Sequence, residues 1–215
     1  MKCLIAGASG LVGSELLQLL LADPTVESVT TVVRRPLESS GIEQHKLQQV
    51  VADFAQIRTQ GLPASGVAFC CLGTTIAKAG SQEAFYRVDH DYILNFAHAC
   101  FAAGVQVFVV VSAMGASGES SVFYNRVKGQ TEADLAKIDF KSLVIIRPSL
   151  LLGERTEKRP AEKLAQVVSK FFAPMMVGPL AKVRPVPAKL VAQKMKLAAE
   201  DRTLLKFQVI ENDQL

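Results

Sequence analysis

Residues 1–20 constrain the fold of this chain most strongly, because they join an apolar run, three evenly spaced glycines and a helical pattern. Residues 4–6 are apolar and predict a buried strand, and Gly7, Gly10 and Gly13 follow at intervals of three. Apolar side chains then recur at helical spacing, at Val12, Leu16, Leu19 and Leu20. Glycines let a turn approach phosphate groups closely, and a helix N-terminus presents free N–H groups to them. The stretch predicts a strand–turn–helix unit that either binds a dinucleotide pyrophosphate or needs its glycines only for packing.

Strand and helix patterns alternate along the rest of the chain. Apolar and β-branched runs predict further strands at residues 28–33, 47–51, 67–72, 105–111, 142–147 and 206–210. Helical patterns lie between most of these runs, for example over residues 82–103. Parallel strands need long crossover connections, so the alternation predicts an α/β fold with a doubly wound parallel sheet. The length of 215 residues fits one domain, with a cofactor-binding core at 1–153 and a small C-terminal cap and last strand at 154–215.

Charge and hydropathy argue against several classes of protein. The net charge of +4 is too small to indicate nucleic-acid binding, and a hydrophobic content of 49% argues against disorder. Residues 154–189 are rich in lysine and arginine, which predicts either a solvated helix face or a surface for an anionic ligand or partner. No apolar run reaches the ~18–20 residues of a membrane helix, and no secretory signal pattern is present, so we expect a cytoplasmic protein without membrane insertion.

The cysteines and histidines do not predict a metal site. Cys3, Cys70 and Cys71 fall in strand-like runs and Cys100 falls in a helical one, without the spacing of metal ligands. We interpret all four as buried, reduced structural residues. The three histidines have no companions at metal-ligand spacing and are interpreted as structural or surface residues.

Two arginines follow the second predicted strand. In nicotinamide-binding folds, an acidic residue at this strand end binds the 2′-hydroxyl of NAD, whereas arginine accommodates the 2′-phosphate of NADP. This chain has Arg34 and Arg35 there and no acid. A guanidinium pairs with phosphate through charge-assisted hydrogen bonds, so the pair predicts NADP(H) binding. The alternative is two surface arginines in a loop that Pro36 closes.

The stretch after the fifth predicted strand contains the candidate catalytic residues. Ser112 ends that strand, and Tyr124 and Lys128 lie four residues apart in the following helical pattern, on one face of the helix. A lysine ammonium near a phenol favours the phenolate, which makes the tyrosine a usable general acid or base. Ser112 could hydrogen-bond the same substrate oxygen. Taken alone, the Tyr-x-x-x-Lys spacing also fits an ordinary pair of neighbours on a helix surface.

Taken together, these motifs resemble the short-chain dehydrogenase/reductase superfamily, and more narrowly its atypical branch of Tat-interacting-protein-like oxidoreductases. The resemblance covers nearly the whole chain. It rests on the glycine turn, Arg34-Arg35, Cys70-Cys71-Leu72-Gly73-Thr74-Thr75, Val88-Asp89-His90-Asp91-Tyr92, Ser112, Tyr124-x-x-x-Lys128 and Arg147-Pro148.

The resemblance implies a Rossmann fold, an NADP(H) cofactor and a role for each matched position. Tyr124 would be the catalytic acid/base, Lys128 would hold the nicotinamide ribose and tune the tyrosine, and Ser112 would orient the substrate oxygen. The implied cofactor contacts, from pyrophosphate through 2′-phosphate and adenine to nicotinamide, are Gly7, Ser9, Gly10, Leu11, Val12, Gly13, Arg34, Arg35, Asp53, Phe54, Gly73, Thr74, Lys128, Pro148 and Ser149. Residues 154–215 would cap the substrate crevice, with an apolar wall at Phe171, Phe172, Met175 and Met176 that could equally close the core.

Two departures from the superfamily pattern stand out. Asp89 lies near the position where many members carry an asparagine, which puts a proton relay through it in doubt. Ser112 is followed by Ala113 rather than by a second serine, so Ser117 is a weaker substitute candidate.

The sequence is compatible with three functions. The leading one is an NADPH-dependent oxidoreductase that reduces a small carbonyl substrate. The others are an NADPH-binding sensor or scaffold that regulates a partner, and an epimerase or dehydratase that retains its cofactor. Superfamily members often pair through helices beside the active site, which makes a homodimer one expectation.

Overall fold

The structure, a computed structural model, describes residues 1–37, 44–153, 184–201, 203 and 205–215. Within these residues, nine strands are present. They are β1 (Lys2–Ala6), β2 (Ser28–Val33), β3 (Leu47–Val51), β4 (Val67–Cys70), β5 (Val107–Val111), β6 (Ser142–Arg147), β7 (Leu151–Leu152), β8 (Val186–Pro187) and β9 (Phe207–Glu211).

Six α-helices accompany these strands in the described part of the chain. They are α1 (Leu11–Ala22), α2 (Ile76–Ala79), α3 (Gln82–Tyr86), α4 (Tyr92–Ala102), α5 (Phe123–Leu135) and α6 (Ala188–Glu200). A π-helical turn at Arg87–Asp91 joins α3 to α4, and short 3₁₀ turns occupy Gln44–Lys46, Ile57–Thr59 and Asn212–Gln214.

Seven of the strands form one parallel sheet in the order β3-β2-β1-β4-β5-β6-β9. The chain winds outward from β1 in one direction through β2 and β3, and then returns to continue on the other side through β4. This reversal is the topological switch point of a doubly wound sheet, and ligands bind beside it at the carboxyl ends of the strands. The predicted fold class is therefore confirmed.

Both faces of the sheet are covered, which explains why its central strands are apolar at nearly every position. Successive residues of β1 point to opposite faces: Cys3 and Ile5 join one core cluster, and Leu4 and Ala6 join the other. Helices α1 and α6 pack together on the first face, and α4 packs on the second. These two layers hold the sheet and leave the carboxyl ends of its strands free for a site.

The stretch predicted to be helical at 82–103 is helical from Gln82 to Ala102, but it is not α-helical throughout. The π-helical turn at Arg87–Asp91 interrupts it. A π turn widens the helix locally and occurs frequently at functional sites. Here the turn contains Asp89, whose side chain is fully buried.

Candidate functional site

A crevice opens at the carboxyl ends of β1, β4 and β5, beside the switch point of the sheet. Its volume is about 580 Å³. It brings together stretches that lie far apart in the sequence, among them the glycine turn, the segment that follows β4, the end of β5, the first half of α5 and the residues after β6. The lining residues are Ser9, Gly10, Leu11, Val12, Ser14, Cys71, Leu72, Gly73, Thr74, Thr75, Lys78, Asp89, Val111, Ser112, Tyr124, Lys128, Ser149, Leu150 and Leu151.

The three positions of the opening turn are glycine for different structural reasons. Gly7 has a φ of +81°, and a Cβ there would lie 2.4 Å from the carbonyl oxygen of Cys71. A Cβ at Gly13 would lie 2.1 Å from the carbonyl oxygen of Gly7, so this glycine lets α1 pack directly on the turn. Gly10 is exposed, and its Cβ would lie 3.2 Å from the Gly7 oxygen, a close contact that a shift of a few tenths of an ångström would relieve. Packing requires Gly7 and Gly13, whereas Gly10 borders the crevice.

Helix α1 points its N-terminus into this crevice. Gly10 is its N-cap residue, no side chain of the described residues caps the helix there, and its first turn contains no acidic residue. The first N–H groups of a helix have no partners within the helix, and together with the helix dipole they favour an anion. The glycine turn and the size of the crevice therefore fit the pyrophosphate of a dinucleotide.

Lys128 lies at the crevice with its ammonium paired to a buried carboxylate. Its Nζ is 2.7 Å from Oδ1 of Asp89, and the two side chains are only 6% and 1% exposed. The other carboxylate oxygen of Asp89 accepts a hydrogen bond of 2.8 Å from the backbone N–H of Thr74. Burial by itself lowers the pKa of Lys128, but the Asp89 carboxylate, with a contribution from Tyr124, outweighs that effect and raises the pKa above its ordinary value of 10.5. Lys128 is thus a protonated, fixed cation.

Tyr124 lies one helical turn before Lys128, on the same side of α5, and both side chains line the crevice. Its ring packs against Phe85, with 5.4 Å between the ring centroids. The ring of Phe85 is fully buried and fixes one side of the tyrosine. The structure therefore brings Tyr124 and Lys128 together beside the glycine turn, as the spacing predicts.

Ser112 lines the same crevice, but its hydroxyl already has a partner. Its Oγ donates a short hydrogen bond to Oε1 of Glu132, within buried surroundings. Glu132 in turn accepts hydrogen bonds from Nε of Arg147 at 3.0 Å and from its Nη2. Arg147 also donates to Glu211 at 3.0 Å. These bonds to two carboxylates raise the pKa of the Arg147 guanidinium, with the bond to Glu132 as the largest cause and with burial opposing it.

The remaining predicted cofactor contacts lie at different depths. Arg34 and Arg35 are exposed directly after β2, and Asp53 is exposed after β3. The Phe54 side chain is buried, packs against Tyr92 and Phe96, and belongs to the core. Pro148 is buried after β6, and its carbonyl oxygen accepts from the N–H of Met114.

Sequence reasoning missed Glu132 and the true partner of Asp89. Glu132 follows Lys128 by four residues on α5, so helical spacing alone could have placed it on the same face. The pairing of Asp89 with Lys128 has no such local signal, because it joins the π-helical turn to α5. Cys71 also lines the crevice, where burial raises the pKa of its thiol well above the ordinary value.

Part of the predicted substrate side lies outside the described residues. The apolar wall at Phe171, Phe172, Met175 and Met176 falls in 154–183, as does most of the basic segment 154–189. At the borders of this range, β7 pairs with β8, and the backbone N–H of Ser149 donates to Oδ1 of Asn212 at 2.7 Å. Among the described residues, no group of histidine, cysteine or acidic side chains has the arrangement of a metal site.

A doubly wound parallel sheet with a glycine turn at its switch point defines an NAD(P)-binding Rossmann domain. Comparison with known proteins agrees. The chain belongs to the NAD(P)H-binding family, which matches residues 7–170. It is 38% identical over 184 residues to the protein fmp52, mitochondrial, of Emericella nidulans, covering 83% of this chain and 76% of that protein. It is 40% identical over 170 residues to Protein HTATIP2 of Rattus norvegicus, covering 78% and 69%. These relatives confirm the family resemblance seen in the motifs.

Solved structures show the same fold. The human epimerase family protein SDR39U1 with NADPH has a TM-score of 0.68 at 17% identity, over 100% of this chain and 77% of that one. MoeE5 in complex with UDP-glucose and NAD has a TM-score of 0.72 at 18% identity, over 98% and 75%. At these identities the likeness concerns the fold alone.

The expected cytoplasmic location is wrong. The relatives from Emericella nidulans, Aspergillus terreus and Candida albicans are all named as mitochondrial proteins. Composition and hydropathy report which residues are buried, and they do not report a cell compartment. In the described ranges, every helix is too short or too polar to cross a bilayer.

Proposed function

We propose that this chain is an NADPH-dependent oxidoreductase of the short-chain dehydrogenase type, which reduces a small carbonyl compound. One observation carries the proposal: Tyr124 and Lys128 line the same crevice as the glycine turn. When bound, NADPH supplies the hydride. Gly10 and the N-terminus of α1 would receive its pyrophosphate, and Gly73 with Thr74 would border its middle part.

The role that we propose for Tyr124 is to donate a proton to the oxygen of the carbonyl group as that oxygen gains negative charge. Lys128 supplies a positive charge one helical turn away and would hold the nicotinamide ribose. Because Asp89 balances that charge, the site as a whole holds an ion pair rather than a lone cation. Phe85 keeps the tyrosine ring in place. These contacts support a preformed acid/base group at the crevice.

The choice of NADPH over NADH rests on Arg34 and Arg35. Both are exposed at the carboxyl end of β2, which is the edge of the sheet where the adenosine ribose binds in this fold. No acidic residue follows β2 within the described residues up to Leu37. Two guanidinium groups there favour a ligand that carries a 2′-phosphate.

Replacement of Tyr124 by phenylalanine tests the proposed chemistry. Tyr124→Phe removes only the hydroxyl, so NADPH should still bind while turnover of any carbonyl substrate found by screening falls about 10²-fold or more. Tyr92→Phe is a matched control, because Tyr92 packs beside Phe54 and does not line the crevice. Equal turnover in Tyr124→Phe and the wild type would refute the role of Tyr124.

A second candidate is an NADPH-binding sensor. It is favoured by the observation that Lys128 and Ser112 are both already tied to buried acids, Asp89 and Glu132. Such a protein would bind NADPH, reduce no carbonyl in a broad screen, and bind its partner with an affinity that changes with NADPH.

A further inference from the structure

The hydrogen bond between Ser112 and Glu132 fixes where the serine proton lies. A serine hydroxyl has one proton, and an ionised carboxylate can only accept hydrogen bonds. Glu132 accepts from Nε of Arg147 at 3.0 Å and from its Nη2, so it is paired as a carboxylate with a guanidinium. The proton in the bond between Ser112 and Glu132 therefore belongs to the serine.

This arrangement limits what Ser112 can offer to a ligand. Its proton points away from the crevice towards Glu132, and only the lone pairs of its oxygen remain for a molecule in the crevice. To donate to a substrate carbonyl, Ser112 would have to give up a bond to an ionised acceptor, and such bonds are roughly twice as strong as neutral ones.

The position of Glu132 is set from two sides. It lies on α5, two helical turns after Tyr124, and its side chain is only 7% exposed. Arg147 at the end of β6 holds it, and Glu211 at the end of β9 holds Arg147 at 3.0 Å. A carboxylate that is buried and bound in this way does not rotate freely, so the orientation of the Ser112 hydroxyl is built into the fold.

We propose that Glu132 is a positioning residue that accepts the hydrogen bond of Ser112 and so leaves the serine oxygen as a hydrogen-bond acceptor for the substrate. The site then selects carbonyl compounds that carry a hydroxyl or N–H group beside the reacting carbon. Tyr124 donates a hydrogen bond to the carbonyl oxygen, and the Ser112 oxygen accepts one from the neighbouring hydroxyl or N–H group of the substrate. The choice of substrate rests on the proposed oxidoreductase function, whereas the placement of the proton does not.

Neutron diffraction from crystals grown in D₂O tests the proton directly, without any turnover. We expect the deuteron on Oγ of Ser112, directed at Oε1 of Glu132. A deuteron on Glu132, or a serine O–D bond directed into the crevice, would overturn the proposal.

A matched pair of probes tests the substrate class. Hydroxyacetone and butan-2-one have nearly the same shape, but only the first carries a hydroxyl beside the carbonyl. With NADPH, the wild type should favour hydroxyacetone in kcat/KM by up to about tenfold more than the reactivities of the two carbonyl groups alone would give, because one hydrogen bond provides about that amount. The ratio of the two kcat/KM values should fall in Ser112→Ala and in Glu132→Ala, towards the value that the different reactivities of the two carbonyl groups set by themselves.

The ratio separates positioning from simple damage to the fold. A variant that is partly unfolded loses activity on both probes equally, so its ratio does not change. Glu211→Ala is the matched control, because it removes the other carboxylate of Arg147 and leaves the bond between Ser112 and Glu132 in place. An unchanged ratio in Glu132→Ala would overturn the positioning role.

The two proposals fail in distinguishable ways. One outcome is a deuteron on Ser112, directed at Glu132, in a protein that reduces neither probe nor any other carbonyl compound. That result refutes the oxidoreductase function and the substrate class, and it supports the placement of the proton. If carbonyl compounds are reduced equally well with and without the neighbouring hydroxyl, the substrate class is refuted and the oxidoreductase function is supported.

Discussion

The buried ion pair between Asp89 and Lys128 gives the sharpest prediction about stability. In Asp89→Asn, the amide can still accept from the Thr74 N–H, but Lys128 loses the only carboxylate that the described residues place against its ammonium. The two side chains are 1% and 6% exposed, so water cannot replace the lost partner. Removing one member of a buried pair typically costs about 3–5 kcal/mol, because an uncompensated charge stays behind.

The upper limit of this loss follows from the alternative open to the lysine. Lys128 can release its proton instead of remaining a lone buried cation. From pH 7 to the ordinary lysine pKa of 10.5, this costs about 1.4 kcal/mol per pH unit, or about 5 kcal/mol in total. Both estimates are a large part of the ~5–15 kcal/mol that stabilises a typical domain.

The sign of the pH dependence is specific to this explanation. In the wild type, the raised pKa of Lys128 contributes stability that is complete below pH 10.5 and is lost only as the pH rises through the still higher folded value. In Asp89→Asn, Lys128 is neutral in the folded state and protonated in the unfolded state, so the unfolded state binds one more proton. The variant should therefore gain stability with rising pH, by up to about 1.4 kcal/mol per unit, and its deficit should shrink.

Urea denaturation of the wild type and Asp89→Asn at pH 7, 8 and 9 measures this. The double variant Asp89→Asn with Lys128→Met removes both charges and should recover most of the lost free energy of unfolding. A loss below about 1 kcal/mol in the single variant, or a deficit that is the same at all three pH values, would refute the reasoning.

Two further pairs of substitutions follow from the same geometry. Gly13→Ala should cost about 3 kcal/mol or more in thermal or urea unfolding, because its Cβ would lie 2.1 Å from the Gly7 carbonyl oxygen, whereas Gly10→Ala should cost only about 0.5 kcal/mol. Gly10→Ala should nevertheless weaken dinucleotide binding in calorimetry, and equal unfolding losses at the two glycines would contradict this division of roles. Arg34→Ala with Arg35→Ala should weaken NADPH much more than NADH, since only NADPH has a 2′-phosphate; equal weakening of both cofactors would remove that assignment.

Much of the fold could be predicted from the sequence, because its signals are local. Period and composition located the seven strands of the main sheet to within a few residues. The central strands give the strongest signal, since strands covered on both faces are apolar at nearly every position. The spacing of Gly7, Gly10 and Gly13 located the turn, and the interval of four residues put Tyr124 and Lys128 on one face of α5. Each of these features depends on residues that are near neighbours in the chain.

The electrostatic character of the site was decided only by the tertiary structure. Asp89, which looks in the sequence like a departure from the superfamily pattern, is the partner of Lys128 because a π-helical turn directs it inward against α5. Ser112 looks like a donor to the substrate, yet its hydroxyl donates to Glu132 because β5, β6 and α5 meet behind the crevice. Ion pairs and hydrogen bonds depend on distances of a few ångströms between separate segments. The sequence by itself therefore determined where the glycine turn and the Tyr124–Lys128 pair lie, and the packing of the crossovers decided which charges face them.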